Sequence, residues 1–373
     1  MSSGASRLRI ARVAGIPVYL HASWLILFGL IAWSLATGFF PAQEPDRPAL
    51  AYWIQGLVAS LLLFASILLH ELGHALVAQR NGLKTESVTL FVFGGLAQLS
   101  KDPEDGRVEL RMALAGPLVS LALAGLFTLL AAVPLLGRSA SSVSSYLALI
   151  NLVLALFNLV PAFPLDGGRI LRGLLWNKLG KVRATRAAAK AGSLFALALM
   201  ATGVLGLLQG AAAAGIWYIA IGWFLKDAAG GAYQRARLDE SLRGVSVREA
   251  MLTRVDTLPA DISLAEAAQD YFLHTGYGSY PVTRGDAVVG LLCLRDVLRV
   301  PPHERPALSV QAAMRPLGPD LVVEADEPLL TAMAKIGRSD AGRLLVMERG
   351  RFVGVLTLNS VVRHVRVREE LAA

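Results

Sequence analysis

The amino-acid sequence predicts a polytopic α-helical membrane protein of about six transmembrane helices, with a small β hairpin or sheet beside its polar centre, followed by a cytoplasmic α+β unit of two repeated modules. Three observations carry that expectation. Hydrophobic residues make up 54% of the 373 and the mean hydropathy is +0.53, above the usual range of soluble domains. Apolar runs long enough to cross a bilayer alternate with basic loops as far as Leu225. From about Ser241 the composition becomes charged, and a pattern of roughly sixty residues occurs twice.

In chain order, the expected spans are about Gly15–Phe40, Trp53–Ala78, Arg111–Leu136, Tyr146–Pro161, Ala188–Leu208 and Ala211–Leu225. The first exceeds the apolar region of a cleaved leader and has no clear small-residue cleavage site after it, so it reads as a span. Arg7, Arg9 and Arg12 precede it; Arg80, Lys84, Lys101, Arg107 and Arg111 follow the second; Arg169, Arg172, Lys178, Lys181, Arg183, Arg186 and Lys190 follow the fourth. Lys226, Arg235 and Arg237 follow the sixth, whereas the alternate loops hold only Arg47 and Arg138. That asymmetry predicts both termini in the cytoplasm. It also accounts for the net charge of +8 without nucleic acid as a partner, the anionic headgroups of the lipid bilayer being the natural counterpart.

The second span contains His70-Glu71-Leu72-Gly73-His74, in its cytoplasmic-side half. Helix positions i and i+4 share one face about 5–6 Å apart, so both imidazoles reach one zinc ion while Glu71 projects beside it as a general base. Ionisable groups in hydrocarbon cost about 2.5–3.5 kcal/mol each on insertion scales, so three within one short motif imply a hydrated, protein-lined pocket. A catalytic zinc needs a third protein ligand and an open position. The best candidate is Asp166, in Pro164-Leu165-Asp166-Gly167-Gly168. Pro161 and Pro164 break the fourth span there, and the two glycines permit a tight turn that aims the carboxylate back. An ordinary loop at a helix end is the alternative for that stretch taken alone. His21, opening another apolar segment, reads as a hydrogen-bonded structural residue.

With these residues in place, the membrane half resembles the site-2 protease family of intramembrane zinc metalloproteases. The resemblance runs through Gly15-Ile16-Pro17-Val18, His21, the segment His70 to Arg80, Phe93-Gly94-Gly95-Leu96-Ala97, Ala115-Gly116-Pro117, and Asn158 to Arg169. It implies that His70, His74 and Asp166 bind one Zn2+ per chain, that Glu71 activates the zinc-bound water, and that Asn158 helps to stabilise the tetrahedral oxyanion. Ser87 to Phe93, a turn at Gly94-Gly95, and Leu96 to Leu99 read as a hairpin. In the resembled family it lies beside the active site; an edge strand at that place can hold an unwound substrate by backbone pairing, and a structural plug between helices is the other reading. Ala115-Gly116-Pro117 reads as close helix packing.

In the second half, Ser246-Val247 with Ala250-Met251 recurs as Ser309-Val310 with Ala313-Met314, and Gly290-Leu291-Leu292 as Gly354-Val355-Leu356. The pattern resembles a pair of cystathionine-β-synthase-type (CBS) modules, which implies an adenine-nucleotide site for ATP or AMP. The family's binding signature is incomplete, reading Gly290, Cys293, Asp296 in the first copy and Gly354, Thr357, Ser360 in the second. Asp296 is the candidate for ribose and Thr357 for phosphate, with a structural or dimerising pair, giving a homodimer, favoured over a sensor. The single cysteine, Cys293, excludes an intrachain disulfide and reads as a buried small hydrophobe.

The domain layout is therefore a protease domain at 1–230, a linker at 231–244 and CBS modules at 245–304 and 305–368. A channel or transporter would spread polar groups along a pathway, whereas here they concentrate at HExxH and LDG. A catalytically inactive scaffold would have lost a ligand or the base, and none is missing. The expected activity is a zinc endopeptidase cutting transmembrane segments near the cytoplasmic side. Expected substrates are membrane-embedded proteins such as an anti-sigma factor, a membrane-tethered transcription regulator or signal-peptide remnants. No PDZ-like insertion is visible.

Overall fold

The computed structural model describes residues 7–91, 94–339 and 341–371. The chain divides into two compact units, Met1–Ala236 and Arg237–Ala373. The first opens with β1 (Arg7–Val13) and β2 (Ile16–His21), then α1 (Ser23–Ser34), which passes through a π-helical turn at Leu35–Phe39 into the short α2 (Phe40–Gln43). There follow α3 (Ala49–Arg80), β3 (Thr85–Phe91), β4 (Gly94–Leu99), α4 (Gly106–Ala131), α5 (Gly137–Asn158), α6 (Asp166–Leu179), α7 (Lys181–Leu208) and α8 (Ala212–Ser241).

Among the described residues, 5 stretches are long and apolar enough to cross a membrane: Ser23–Gln43, Ala49–Arg80, Gly106–Ala131, Pro134–Asn158 and Lys181–Leu208. They match the first five expected spans. The sixth, Ala211–Leu225, falls short by this measure, because the apolar part of α8 is about 21 Å long at ~1.5 Å per residue against a hydrocarbon core of about 30 Å. Even so, α8 runs back along α7. A Cβ on Gly203 would lie 2.6 Å from Gly215 O, and one on Gly222 would lie 2.7 Å from Ala196 O. Near the other end of the pair, the Arg186 guanidinium is 5.9 Å from the centre of the Tyr233 ring. Small residues thus let the two backbones touch, and α8 returns the chain toward the end where α7 began. Large apolar side chains such as Leu25, Ile26 and Leu30 on α1, and Leu118, Leu126 and Leu129 on α4, stay exposed, as a hydrocarbon-facing surface requires.

The first expected span needs correction at its start, because residues 16–21 form a strand. Ala14 and Gly15, with φ of 50° and 82°, make the two-residue turn that pairs Val13 with Ile16. The expected hairpin is accordingly half of a four-stranded sheet, β1-β2-β3-β4, antiparallel except between β2 and β3. Its turn also shifts. Phe91 pairs with Gly94, so Gly94 and Gly95 belong to β4, while Val92 and Phe93 lie outside the described residues. Ile16 and Val88 cluster with Leu72 and Ala75, which seats the sheet against the half of α3 that carries HExxH.

In the second unit, α9 (Val247–Ala250), β5 (Leu258–Pro259), α10 (Leu264–Glu266), β6 (Ser279–Arg284), β7 (Ala287–Cys293) and α11 (Leu294–Leu298) form the first copy. The second comprises α12 (Val310–Ala313), β8 (Arg315–Pro316), β9 (Val322–Glu324), α13 (Leu329–Arg338), β10 (Arg343–Glu348), β11 (Arg351–Thr357) and α14 (Leu358–Leu371). Each copy lends its opening segment to the other. Val247 and Ala250 pack with Leu329, Leu344 and Leu356, and Leu252 bridges to Val355. Reciprocally, Val310 packs with Leu264, Tyr280 and Leu292, and β8 pairs with β7. The blocks 245–304 and 305–368 thus each contribute to both sheets, and much of 231–244 is the helical tail of α8.

Candidate active site

His70 and His74 lie one turn apart on α3, their rings edge to face with centroids 4.9 Å apart. Asp166 opens α6, and the loop before it folds back toward α3. Asp166 Oδ2 lies 3.2 Å from His70 Nε2 and 3.1 Å from His74 Nε2, and the two Nε2 atoms are 3.2 Å apart. All three residues are buried and form a cluster of potential metal donors.

These donors suit zinc. With ligand distances of about 2.0–2.1 Å, tetrahedral ligands sit roughly 3.3 Å apart, so this triangle needs to open only slightly. The far nitrogens are already committed. His74 Nδ1 donates to the Met112 carbonyl at 2.7 Å; because a carbonyl only accepts, the hydrogen resides on Nδ1 and the Nε2 lone pair faces the cluster. His70 Nδ1 is 2.9 Å from Ser120 Oγ, likewise leaving Nε2 for the centre.

Three glycines clear the space. A Cβ on Gly116 would lie 2.2 Å from His74 Nε2 and 2.6 Å from His70 Nε2, and one on Gly95 would lie 2.3 Å from Glu71 Cγ. One on Gly167 would lie 2.2 Å from Val160 O and 2.3 Å from Leu159 O, so the start of α6 nests against the end of α5. Ala115-Gly116-Pro117, expected as helix packing, therefore also makes room for both imidazoles. Glu71 follows His70 on α3 and faces β4 at Gly95. Asn158, the last residue of α5, donates from Nδ2 to Leu154 O at 3.0 Å and stands outside the donor cluster. His21 is also outside it, its Nδ1 being 2.8 Å from Ser23 Oγ at the start of α1.

Sequence reading passed over Glu109. It is fully buried on α4, ion-paired with Arg172 and 3.5 Å from Arg169. A lone acid in a helix that becomes apolar was the available signal.

In the second unit each expected ligand residue is already engaged by its neighbours. Asp296 Oδ2 accepts from the Cys293 N–H at 3.3 Å and from Arg315 Nε at 2.9 Å, while Oδ1 accepts from Arg315 Nη2 at 3.1 Å. Burial pushes the Asp296 carboxyl up, but Arg315 and the Cys293 amide outweigh it and hold the group below its usual value. Thr357 Oγ1 accepts from the Ser360 N–H at 3.0 Å, and Ser360 Oγ accepts from the Thr357 N–H at 3.2 Å, together capping α14. Cys293 is buried, as expected.

The family model for peptidase family M50 matches residues 58–136 and 134–199, and the CBS domain model matches 247–303 and 310–367. Rip3 of Mycobacterium tuberculosis, described as a zinc metalloprotease, is 39% identical across 96% of this chain and 92% of its own length. The chain belongs to peptidase family M50. It is a site-2-type zinc metalloprotease with a helical membrane domain and a CBS pair. The zinc metalloprotease sll0528 of Synechocystis is 33% identical across 96% of this chain and 95% of its own. The solved site-2 protease from Methanocaldococcus jannaschii is 33% identical, covers 61% of this M50 chain and 95% of its own, and superposes with a TM-score of 0.41.

Proposed function

We propose that this M50 protease holds one zinc ion per chain on His70 Nε2, His74 Nε2 and Asp166 Oδ2, and hydrolyses peptide bonds in transmembrane or membrane-proximal segments of membrane-embedded proteins. The observation that carries the reading is the convergence of these three atoms within 3.2 Å of one another, with both outer imidazole nitrogens already engaged. Zinc, when bound, supplies Lewis-acid polarisation of the scissile carbonyl and lowers the pKa of a coordinated water. Glu71 takes the proton of the attacking water on its carboxylate and returns it to the leaving amine. Asn158 uses one amide N–H on Leu154 O and has a second for the oxyanion.

An unwound substrate adds to the edge of β4, the last strand of its sheet, beside the point where Gly95 meets Glu71. The return of α8 along α7 supports an even number of crossings, and the arginine and lysine asymmetry supports cytoplasmic placement of both ends in the cell membrane. Product is then released inward. Anti-sigma factors and membrane-tethered regulators fit as substrates. For the CBS modules, the engagement of Asp296 and Thr357 favours a structural or dimerising pair; ATP or AMP binding there requires the Asp296–Arg315 pair to open.

Elemental analysis of the purified full chain tests the site. About one zinc per chain is expected, lost in His70→Ala, His74→Ala and Asp166→Ala. Full retention in the Asp166 variant removes that residue from the ligand set.

A further inference from the structure

One stripe of α4 touches both histidines of the donor cluster and the helix that carries Asp166. Glu109, Met112, Gly116 and Ser120 are all buried, and their spacing of three, four and four keeps them on a single helix face. Ser120 faces His70 Nδ1, the Met112 carbonyl takes the His74 Nδ1 hydrogen, and Gly116 leaves room for both Nε2 atoms. Glu109 touches neither histidine. Its Oε1 accepts from Arg172 Nε at 3.0 Å and from Arg172 Nη2, and lies 3.5 Å from Arg169 Nε. Both arginines belong to α6, whose first residue is Asp166.

That geometry bears on how α6 is held. A Cβ on Gly173 would lie 2.8 Å from Gly106 O, so α4 and α6 meet there backbone to backbone. That contact sets their separation, with the Trp176 side chain seated at Gly106. Turning α6 by one residue swings a side chain through about 100°, which carries Asp166 away from the imidazoles. A buried carboxylate makes such a shift steep, because it is tolerated only with its guanidinium opposite. Glu109 Oε2 has no hydrogen-bond partner among the described residues, so neutralisation runs through Oε1 alone. Arg172 also lies over the Phe163 ring at 5.1 Å, tying in the loop that delivers Asp166.

We propose that Glu109, through its ion pairs with Arg172 and Arg169, is the positioning residue that sets the register of α6 and so presents Asp166 to the two histidines. The inference rests on Asp166 being the third zinc donor. It predicts that loss of the pair weakens metal binding without any change to a ligand.

The test uses the full chain in detergent micelles. The rate of zinc release to a chelator and the visible spectrum of the cobalt(II)-substituted protein are read for the wild type, Glu109→Gln, Glu109→Asp and Asp166→Ala. Expected are zinc release faster by about ten- to a hundredfold and an altered cobalt spectrum in Glu109→Gln, with partial recovery in Glu109→Asp. A folded Glu109→Gln with wild-type release and spectrum overturns the proposal. If that variant does not fold, Glu109→Leu combined with Arg172→Leu takes its place, since it leaves no unpaired partner at the main contact. Fast release with an altered spectrum is again expected, and wild-type behaviour is again fatal. Zinc retention in Asp166→Ala overturns the ligand reading itself, whereas zinc loss there with unchanged Glu109 variants overturns only the positioning role.

Discussion

Glycine serves opposite ends at the donor cluster and in the CBS unit. At the cluster, Gly116 and Gly95 stand back from His70, His74 and Glu71, so the space they leave is filled by side chains proposed to carry chemistry. In the CBS unit, a Cβ on Gly290 would lie 2.4 Å from Arg315 O and one on Gly354 would lie 2.4 Å from Leu252 O, so there the space admits the backbone that each copy lends the other. The polar residues follow the same division. The proposed zinc donors point their remaining atoms at one another, and three close, buried donors satisfy each other poorly without a cation. Asp296 and Thr357 instead find partners in Arg315, the Cys293 amide and Ser360. Convergence without mutual satisfaction marks a site prepared for a ligand; mutual satisfaction marks a joint.

The largest effect that separates the two units is expected at Glu71. Glu71→Gln keeps the shape of the side chain and removes the proton acceptor, so cleavage falls by about 10²- to 10⁴-fold while zinc content stays at that of the wild type. Proteolysis of a membrane-embedded reporter alongside elemental analysis checks both halves. Substantial residual cleavage assigns the base elsewhere.

Next comes Gly116→Ala. The added methyl meets both Nε2 atoms, which sit on side chains anchored by Met112 O and Ser120, so neither ring yields easily. Zinc affinity is expected to fall by about 10- to 100-fold, the range for disturbing the partners of a metal site, with the CBS unit as resistant to protease as before. Unchanged affinity shows that the rings have more freedom than their hydrogen bonds imply.

His70, His74 and Asp166 were legible because hydrocarbon allows such side chains few other uses, and that pressure made a short motif and a distant LDG stand out. Gly116 was legible only as packing, since nothing in Ala115-Gly116-Pro117 tells whether a glycine admits a backbone or a side chain. The strand β2 was hidden for a different reason. Ile16, Val18 and Leu20 alternate correctly for a strand, but they run directly into the apolar α1, and a continuous hydrophobic count absorbed them. Helix α8 was overtly apolar only as far as Leu225; its path along α7 rests on close contacts that no composition reveals. In the CBS unit the repeat was visible, whereas the exchange of opening segments was not, because a segment swapped between two similar copies carries the same pattern as one that stays at home.

Gly290→Ala probes the other use of glycine. The methyl meets a backbone carbonyl on the lent strand, and overpacking of this kind costs about 1–3 kcal/mol. Pulse proteolysis of the full chain in urea, following the C-terminal fragment, is expected to show that loss with zinc content unchanged. A variant as stable as the wild type means that β8 shifts freely, and the joint is looser than its contacts suggest.

The smallest effect is expected at Asp296, where it also carries a pH signature. Asp296→Asn keeps an oxygen for the Cys293 N–H and removes the charge opposite Arg315, whose side chain is 24% exposed. Discounted for that exposure, the loss at neutral pH is about 1 kcal/mol. The sign follows from the direction of the shift. The folded carboxyl is held below its usual value, so the stabilisation is fully present above the unfolded value of about 3.9 and is lost as pH falls through the lower, folded one. The gap between wild type and variant in pulse proteolysis should therefore be constant from neutrality down to about pH 5 and shrink progressively in stronger acid. Adenine nucleotide sharpens the comparison further. If ATP or AMP binds by opening the Asp296–Arg315 pair, millimolar nucleotide shifts the wild type more than the variant; equal, absent shifts in both leave the modules as a joint.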